Sequence, residues 1–175
     1  MMERHGVYRM FVGQFQLIAG NRLGKIVPEL VASLNTHDMF PFSSFWTEKD
    51  IAERLKLKLL TAEGAREELA RRQQVKNILI QTLDYPGLDP VSSQISENAL
   101  KAALGYLAKS PAYALLVNLE DLWGETHPQN IPGTQTQRNW THKARYSFEE
   151  FSQSRQVLNT FSHINAVRKG INLIR

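Results

Sequence analysis

Residues 32–46 read Ala-Ser-Leu-Asn-Thr-His-Asp-Met-Phe-Pro-Phe-Ser-Ser-Phe-Trp, a short apolar run ending in Thr36-His37-Asp38 and followed by an aromatic-rich turn. A carboxylate at the C-terminal tip of a strand, beside a histidine and flat aromatic faces, has the group types that glycoside chemistry uses. The carboxylate can stabilise positive charge developing on a sugar ring, and the aromatics can stack on its apolar face. The bland alternative is a capped turn, with Asp38 serving the backbone before Phe40-Pro41 and His37 a rim histidine. A second segment bears on the choice. Residues 113–123, Tyr-Ala-Leu-Leu-Val-Asn-Leu-Glu-Asp-Leu-Trp, lead into Gly124-Glu-Thr-His-Pro-Gln-Asn-Ile-Pro-Gly-Thr134 and then Arg138-Asn139-Trp140.

The order of these signals is the Thr-His-Asp strand, the Leu-Glu-Asp-Leu strand, the Asn-x-Pro-Gly-Thr loop, the Asn-Trp pair and a final helix. In that order they resemble the C-terminal part of the 4-α-glucanotransferase (amylomaltase, disproportionating enzyme) family of the α-amylase clan. Upstream, residues 4–15 resemble the family strand that precedes the Thr-His-Asp strand, so the resemblance covers nearly the whole chain. It implies that Asp38 stabilises the oxocarbenium-like transition state and that His37 holds the glucose unit. Asn130, Gly133, Thr134 and Trp140 fall where the family's loop lines the cleft. The match is incomplete. The family's Pro-Asn-Trp followed by two arginines stands here as Arg138-Asn139-Trp140-Thr141-His142, without the proline or either arginine, which puts sugar contacts by that loop in doubt.

The resemblance also implies two carboxylates that this sequence does not show. The family's nucleophilic aspartate and acid/base glutamate lie on earlier strands, and Met1-Met2 falls just downstream of where the glutamate would stand. The chain therefore reads as one partial domain, residues 1–175, the C-terminal portion of such an enzyme, inactive alone and needing an upstream half. Its substrates would be α-1,4-glucans and maltooligosaccharides, with no cofactor. A non-catalytic glucan-binding remnant and an unrelated α/β binding domain are the competing readings.

The elements that must position these residues can be read from pattern. Residues 7–15, rich in β-branched and aromatic residues, predict a buried strand, and residues 32–36 and 112–118 are read as two more. Thr47-Glu48-Lys49-Asp50 suggests a capping box opening a helix to about Leu57, Thr61 caps an amphipathic helix over 62–83, and Ser96 caps one over 97–109. Residues 84–90, with two prolines and a glycine, predict a surface turn. Ser147-Phe-Glu-Glu150 is a full capping box for a last helix running to about Lys169, with Gly170 as its stop. Strand, helices, strand, helix implies α/β architecture with parallel strands. At 175 residues the chain is too short for a whole (β/α)₈ barrel and fits about its last three strands with a helical insertion.

Composition removes other classes. There is no cysteine, hence no disulfide framework or thiolate metal site, and a reducing compartment is compatible. No signal peptide or transmembrane run is visible, so the expectation is a soluble, cytoplasmic protein. The chain's net charge is +4, and the part of its basic excess that sits in the last quarter is spread through a helix that also holds Glu149 and Glu150, which does not resemble a nucleic-acid footprint. His37-Asp38 lacks the further histidines at ligand spacing that a metal site would need. Glu120 and Asp121 read as structural partners for neighbouring loops.

Overall fold

The computed structural model describes residues 3–18, 23–83, 95–134 and 139–170. The chain forms a three-stranded parallel sheet in sequence order, β1 (Arg9–Val12), β2 (Leu30–Ser33) and β3 (Ala114–Leu116). The register pairs Phe11 with Ala32 and Ala32 with Leu115. Successive strand residues alternate between faces, so Phe11, Ala32 and Leu115 share one face, and they join the apolar core. Met10, Val31 and Ala114 share the other.

The core-facing side is covered by helices. After β1 come α1 (Gly13–Ile18) and, past β2, α2 (Phe42–Thr47), α3 (Lys49–Lys56) and α4 (Ala62–Leu83). Then α5 (Ile95–Ala108) precedes β3, and α6 (Leu119–Leu122), α7 (Phe148–Gln153) and α8 (Arg155–Gly170) follow it. Leu100, Ala103, Leu104 and Leu107 of α5 are buried together, as their helical spacing predicts, against Leu79 of α4 and Ile164 of α8. Among the described residues no helix is long and apolar enough to cross a membrane.

Several expected boundaries move. The first strand is four residues long: the backbone N–H of Gln14 donates to the Leu34 carbonyl at 2.8 Å, and the chain turns into α1 where residues 13–15 were expected to continue the strand. The aromatic turn after Asp38 is instead the helix α2. Thr47 forms no capping box, because its hydroxyl donates to the Ser43 carbonyl within α2; Glu48, with φ 65°, makes the break before α3. Thr61 does cap α4, accepting from the Gly64 N–H at 3.1 Å. Ser96 lies inside α5, which starts at Ile95. The Leu-Glu-Asp-Leu segment is helical, so Glu120 and Asp121 do not alternate across a strand. Ser147 and Glu150 form the expected capping box, but the terminal helix is interrupted at Ser154, and Gly170 is the last residue of α8. The expected turn at 84–90 lies outside the described residues.

Candidate functional site

All three strands run the same way, so the segments leaving β2 and β3 emerge at one end of the sheet. Beyond β2 the Ser33 hydroxyl donates to the Asn35 carbonyl at 2.6 Å, and the Met39 N–H closes a turn onto the Thr36 carbonyl at 3.0 Å. This turn presents His37 and Asp38 to solvent. Their side chains lie side by side, Nε2 to Oδ2 at 3.3 Å.

The turn is held from beneath by a carboxylate on the other strand's exit. Asp121 accepts from the Asn35 side-chain amide at 2.9 Å and from the Phe42 backbone N–H at 2.7 Å, gripping both ends of the segment that carries His37 and Asp38. The Asn118 side-chain amide donates to the Asn35 side-chain oxygen and completes the link to β3. Burial raises the Asp121 carboxyl to a pKa of about 6 against the lowering pull of these two donors, with Glu120 adding repulsion.

The loop beyond α6 closes over the same end. Asn130 donates to Asp38 Oδ1 at 2.8 Å across 92 residues of sequence. Gly133, at φ 82°, makes the tight turn. The Thr134 hydroxyl donates inward to the Ile131 carbonyl at 2.7 Å, and the Asn139 amide spans from the Ile131 N–H to the Thr134 carbonyl. Trp140, itself at φ 63° and 61% exposed, hangs its N–H on the Gln129 carbonyl at 2.7 Å and places its ring 5.5 Å from that of His37. His37, Asp38, Asn130 and Trp140 are thus one exposed cluster, while Gly133 and Thr134 shape the loop behind it.

Asp38 borders a hollow of about 260 Å³ floored by Phe15, Phe40 and Ile131. Two other carboxylates share that hollow, and both are occupied. Asp50 is paired with Arg72 at 2.8 Å and Glu68 with Arg54. Of the aromatics considered as stacking platforms, Phe42, Phe45 and Trp46 are buried core residues, because α2 turns them inward. Only Phe40 and Trp140 remain at the surface of the site.

The sequence reading passed over three of its supports. Asn35 and Asn118 are ordinary polar residues until the fold brings them to Asp121. Glu125 is the third: its carboxylate accepts from the Thr126 and His127 N–H groups at 2.8 and 3.0 Å, from the His127 ring at 3.0 Å and lies 3.4 Å from His142. Partial burial works against its ionisation, but the hydrogen bonds together outweigh it and hold the group at about 2. Among the described residues no group of three or more His, Asp or Glu side chains is placed to hold a metal.

Fold and site together define a parallel α/β protein with a polar, aromatic-flanked cluster at the C-terminal ends of its strands. The profile of the 4-alpha-glucanotransferase family matches residues 1–149, and the chain belongs to that family. This sets aside the reading of an unrelated α/β domain. Among solved structures, the fold is similar to the crystal structure of amylomaltase from Corynebacterium glutamicum, with a TM-score of 0.65 and 20% identity. That likeness covers 85% of this chain and 23% of the amylomaltase, so the chain spans about a quarter of that protein's length. No curated protein matches.

Proposed function

We propose that this chain forms part of a retaining 4-α-glucanotransferase site acting on α-1,4-glucans and maltooligosaccharides, and that its strands belong to a (β/α)₈ barrel. The observation that carries the reading is the Asn130 to Asp38 hydrogen bond at 2.8 Å, with His37 against the same carboxylate and Trp140 against His37. Asp38, oriented by Asn130, stabilises positive charge on the anomeric carbon as the glycosidic bond breaks. His37 hydrogen-bonds sugar hydroxyls, and Trp140 offers its exposed face to a glucose ring.

Retaining transfer requires a carboxylate nucleophile and a carboxyl acid/base about 5 Å apart. In the hollow beside Asp38 the remaining carboxylates are tied to arginines, which suits neither task. The 175-residue chain by itself is therefore inactive, and a second segment carrying both groups completes the site. Titration of the chain with maltoheptaose tests the reading: binding should be measurable, and Trp140→Ala should weaken it about tenfold, the worth of one aromatic face on a ring. The isolated chain should release no glucose from maltotriose. Undiminished binding in both His37→Ala and Trp140→Ala, or glucose release that Asp38→Asn abolishes, would overturn it.

A further inference from the structure

Next to the Asp38 hollow, and sharing Phe40 and Ile131 with it, lies a larger cavity of about 730 Å³ between α3 and the segments 126–131 and 139–143. Its volume is that of a small-molecule site. Phe40, Pro128 and Ile131 give it an apolar base, and its lining carries three ammonium groups against one carboxylate: Lys49, Lys56 and Glu53 from α3, and Lys143 from the loop. Among the described residues neither Lys49 nor Lys143 makes an ion pair, and Lys56 has only Glu53 at 3.9 Å.

The two imidazoles on the rim are held in place. Glu125 spends its oxygens on the His127 ring and on His142, whose rings lie 5.8 Å apart, and on two backbone N–H groups. Among the described residues it makes no ion pair with the lysines of the rim. A neutral glucan has nothing to meet the ammonium groups of Lys49 and Lys143, which no carboxylate pairs among the described residues. A phosphate monoester does: it supplies two negative charges and several acceptor oxygens, and lysine ammonium groups bind such oxygens as point charges.

We propose that this cavity is a second site, for a phosphorylated sugar, with the hexose on the Phe40, Pro128 and Ile131 base and the phosphate between Lys49 and Lys143. The sugar half of the ligand rests on the glucan reading above; the phosphate half rests on the charge of the rim alone.

The experiment is a chemical-shift titration of the full chain with glucose 6-phosphate, glucose, inorganic phosphate and maltoheptaose. Glucose 6-phosphate should shift the His127 and His142 ring signals saturably, with glucose silent there and inorganic phosphate binding about tenfold more weakly. Lys49→Ala combined with Lys143→Ala should cost about tenfold or more in affinity, as should added salt. The proposal is overturned if glucose matches its phosphate ester, if inorganic phosphate binds as tightly as the ester, or if the double variant binds unchanged. Maltoheptaose reports separately through His37 and Trp140. Silence there with phosphate-ester binding intact counts against the glucanotransferase reading and for a separate site.

Discussion

Asp121 shows how one buried side chain sets the behaviour of two exposed ones. Its carboxylate is the anchor for Asn35 and the Phe42 N–H, between which His37 and Asp38 are displayed. Burial lifts its pKa from 3.8 to about 6, so between those values the folded chain holds a proton that the unfolded chain has released. Stability must then fall as pH rises from about 4 to about 6, by on the order of 3 kcal/mol from this group. Glu125 acts in the opposite sense. Its pKa is held down at about 2, so its contribution is full above 4.5 and is lost as pH falls from there. Urea midpoints measured against pH should peak near the crossing of the two effects, at about pH 4 to 5. Asp121→Asn should flatten the decline on the neutral side and Glu125→Gln the decline on the acid side. A slope between pH 4 and 6 unchanged in Asp121→Asn would refute the assignment. At this scale the sequence was partly legible. His37 and Asp38 announced themselves as adjacent polar residues after an apolar run, and Asn130 and Trp140 through their motif. The grip of Asp121 on Asn35 was not legible, because it joins residues 86 apart through a geometry that exists only once β2 and β3 are paired.

Elements were legible where one physical signal dominated. Parallel order followed from alternating strands and helices, and α4 begins at the hydroxyl cap its sequence indicates. They were misread where tertiary contacts outweighed local pattern. The residues 42–47 look like a platform of exposed aromatics, yet Pro41 starts a helix whose first N–H is taken by Asp121 and whose rings pack inward. What locks α2 to α3 and α4 is equally invisible to pattern. Arg72 of α4 pairs with Asp50 of α3, stacks its guanidinium 3.8 Å over the Phe45 ring and donates to the Phe45 carbonyl. All three residues are buried. Removing Arg72 leaves the buried Asp50 carboxylate with only Arg54, at 3.6 Å and without a hydrogen bond, whereas replacing both Arg72 and Asp50 with apolar groups removes the desolvation cost as well. Arg72→Ala should therefore cost about 3 to 5 kcal/mol in equilibrium unfolding. Arg72→Met combined with Asp50→Leu should cost clearly less than Arg72→Ala alone. If the double variant is the less stable of the two, the pair stabilises the fold outright, and desolvation does not set the balance at this contact.

At the scale of the whole molecule the sheet is covered unevenly. The face carrying Phe11, Ala32 and Leu115 is under helices; on the other Val12 and Ser33 are buried, but Met10 is 52% and Leu116 50% exposed. Val7, Tyr8, Tyr113 and Leu119 are exposed as well, with Tyr8 and Tyr113 stacked at 4.2 Å. Among the described residues β1 and β3 each pair with β2 alone, which leaves a strand edge open at either side. Exposed apolar side chains and unpaired edges both favour association with another chain, and a net charge of +4 is a weak deterrent. In the barrel reading this face is the interior layer of side chains that further strands would cover. Sedimentation velocity on the purified chain should therefore give concentration-dependent association. Met10→Lys with Leu116→Lys should shift it toward monomer, because two ammonium groups on a half-exposed face oppose stacking without entering the helical core. The thermal transition should stay close to that of the parent chain, since neither side chain is buried. A monodisperse monomer at every concentration would mean that this face is stable in water, and the need for a covering segment would fall with it.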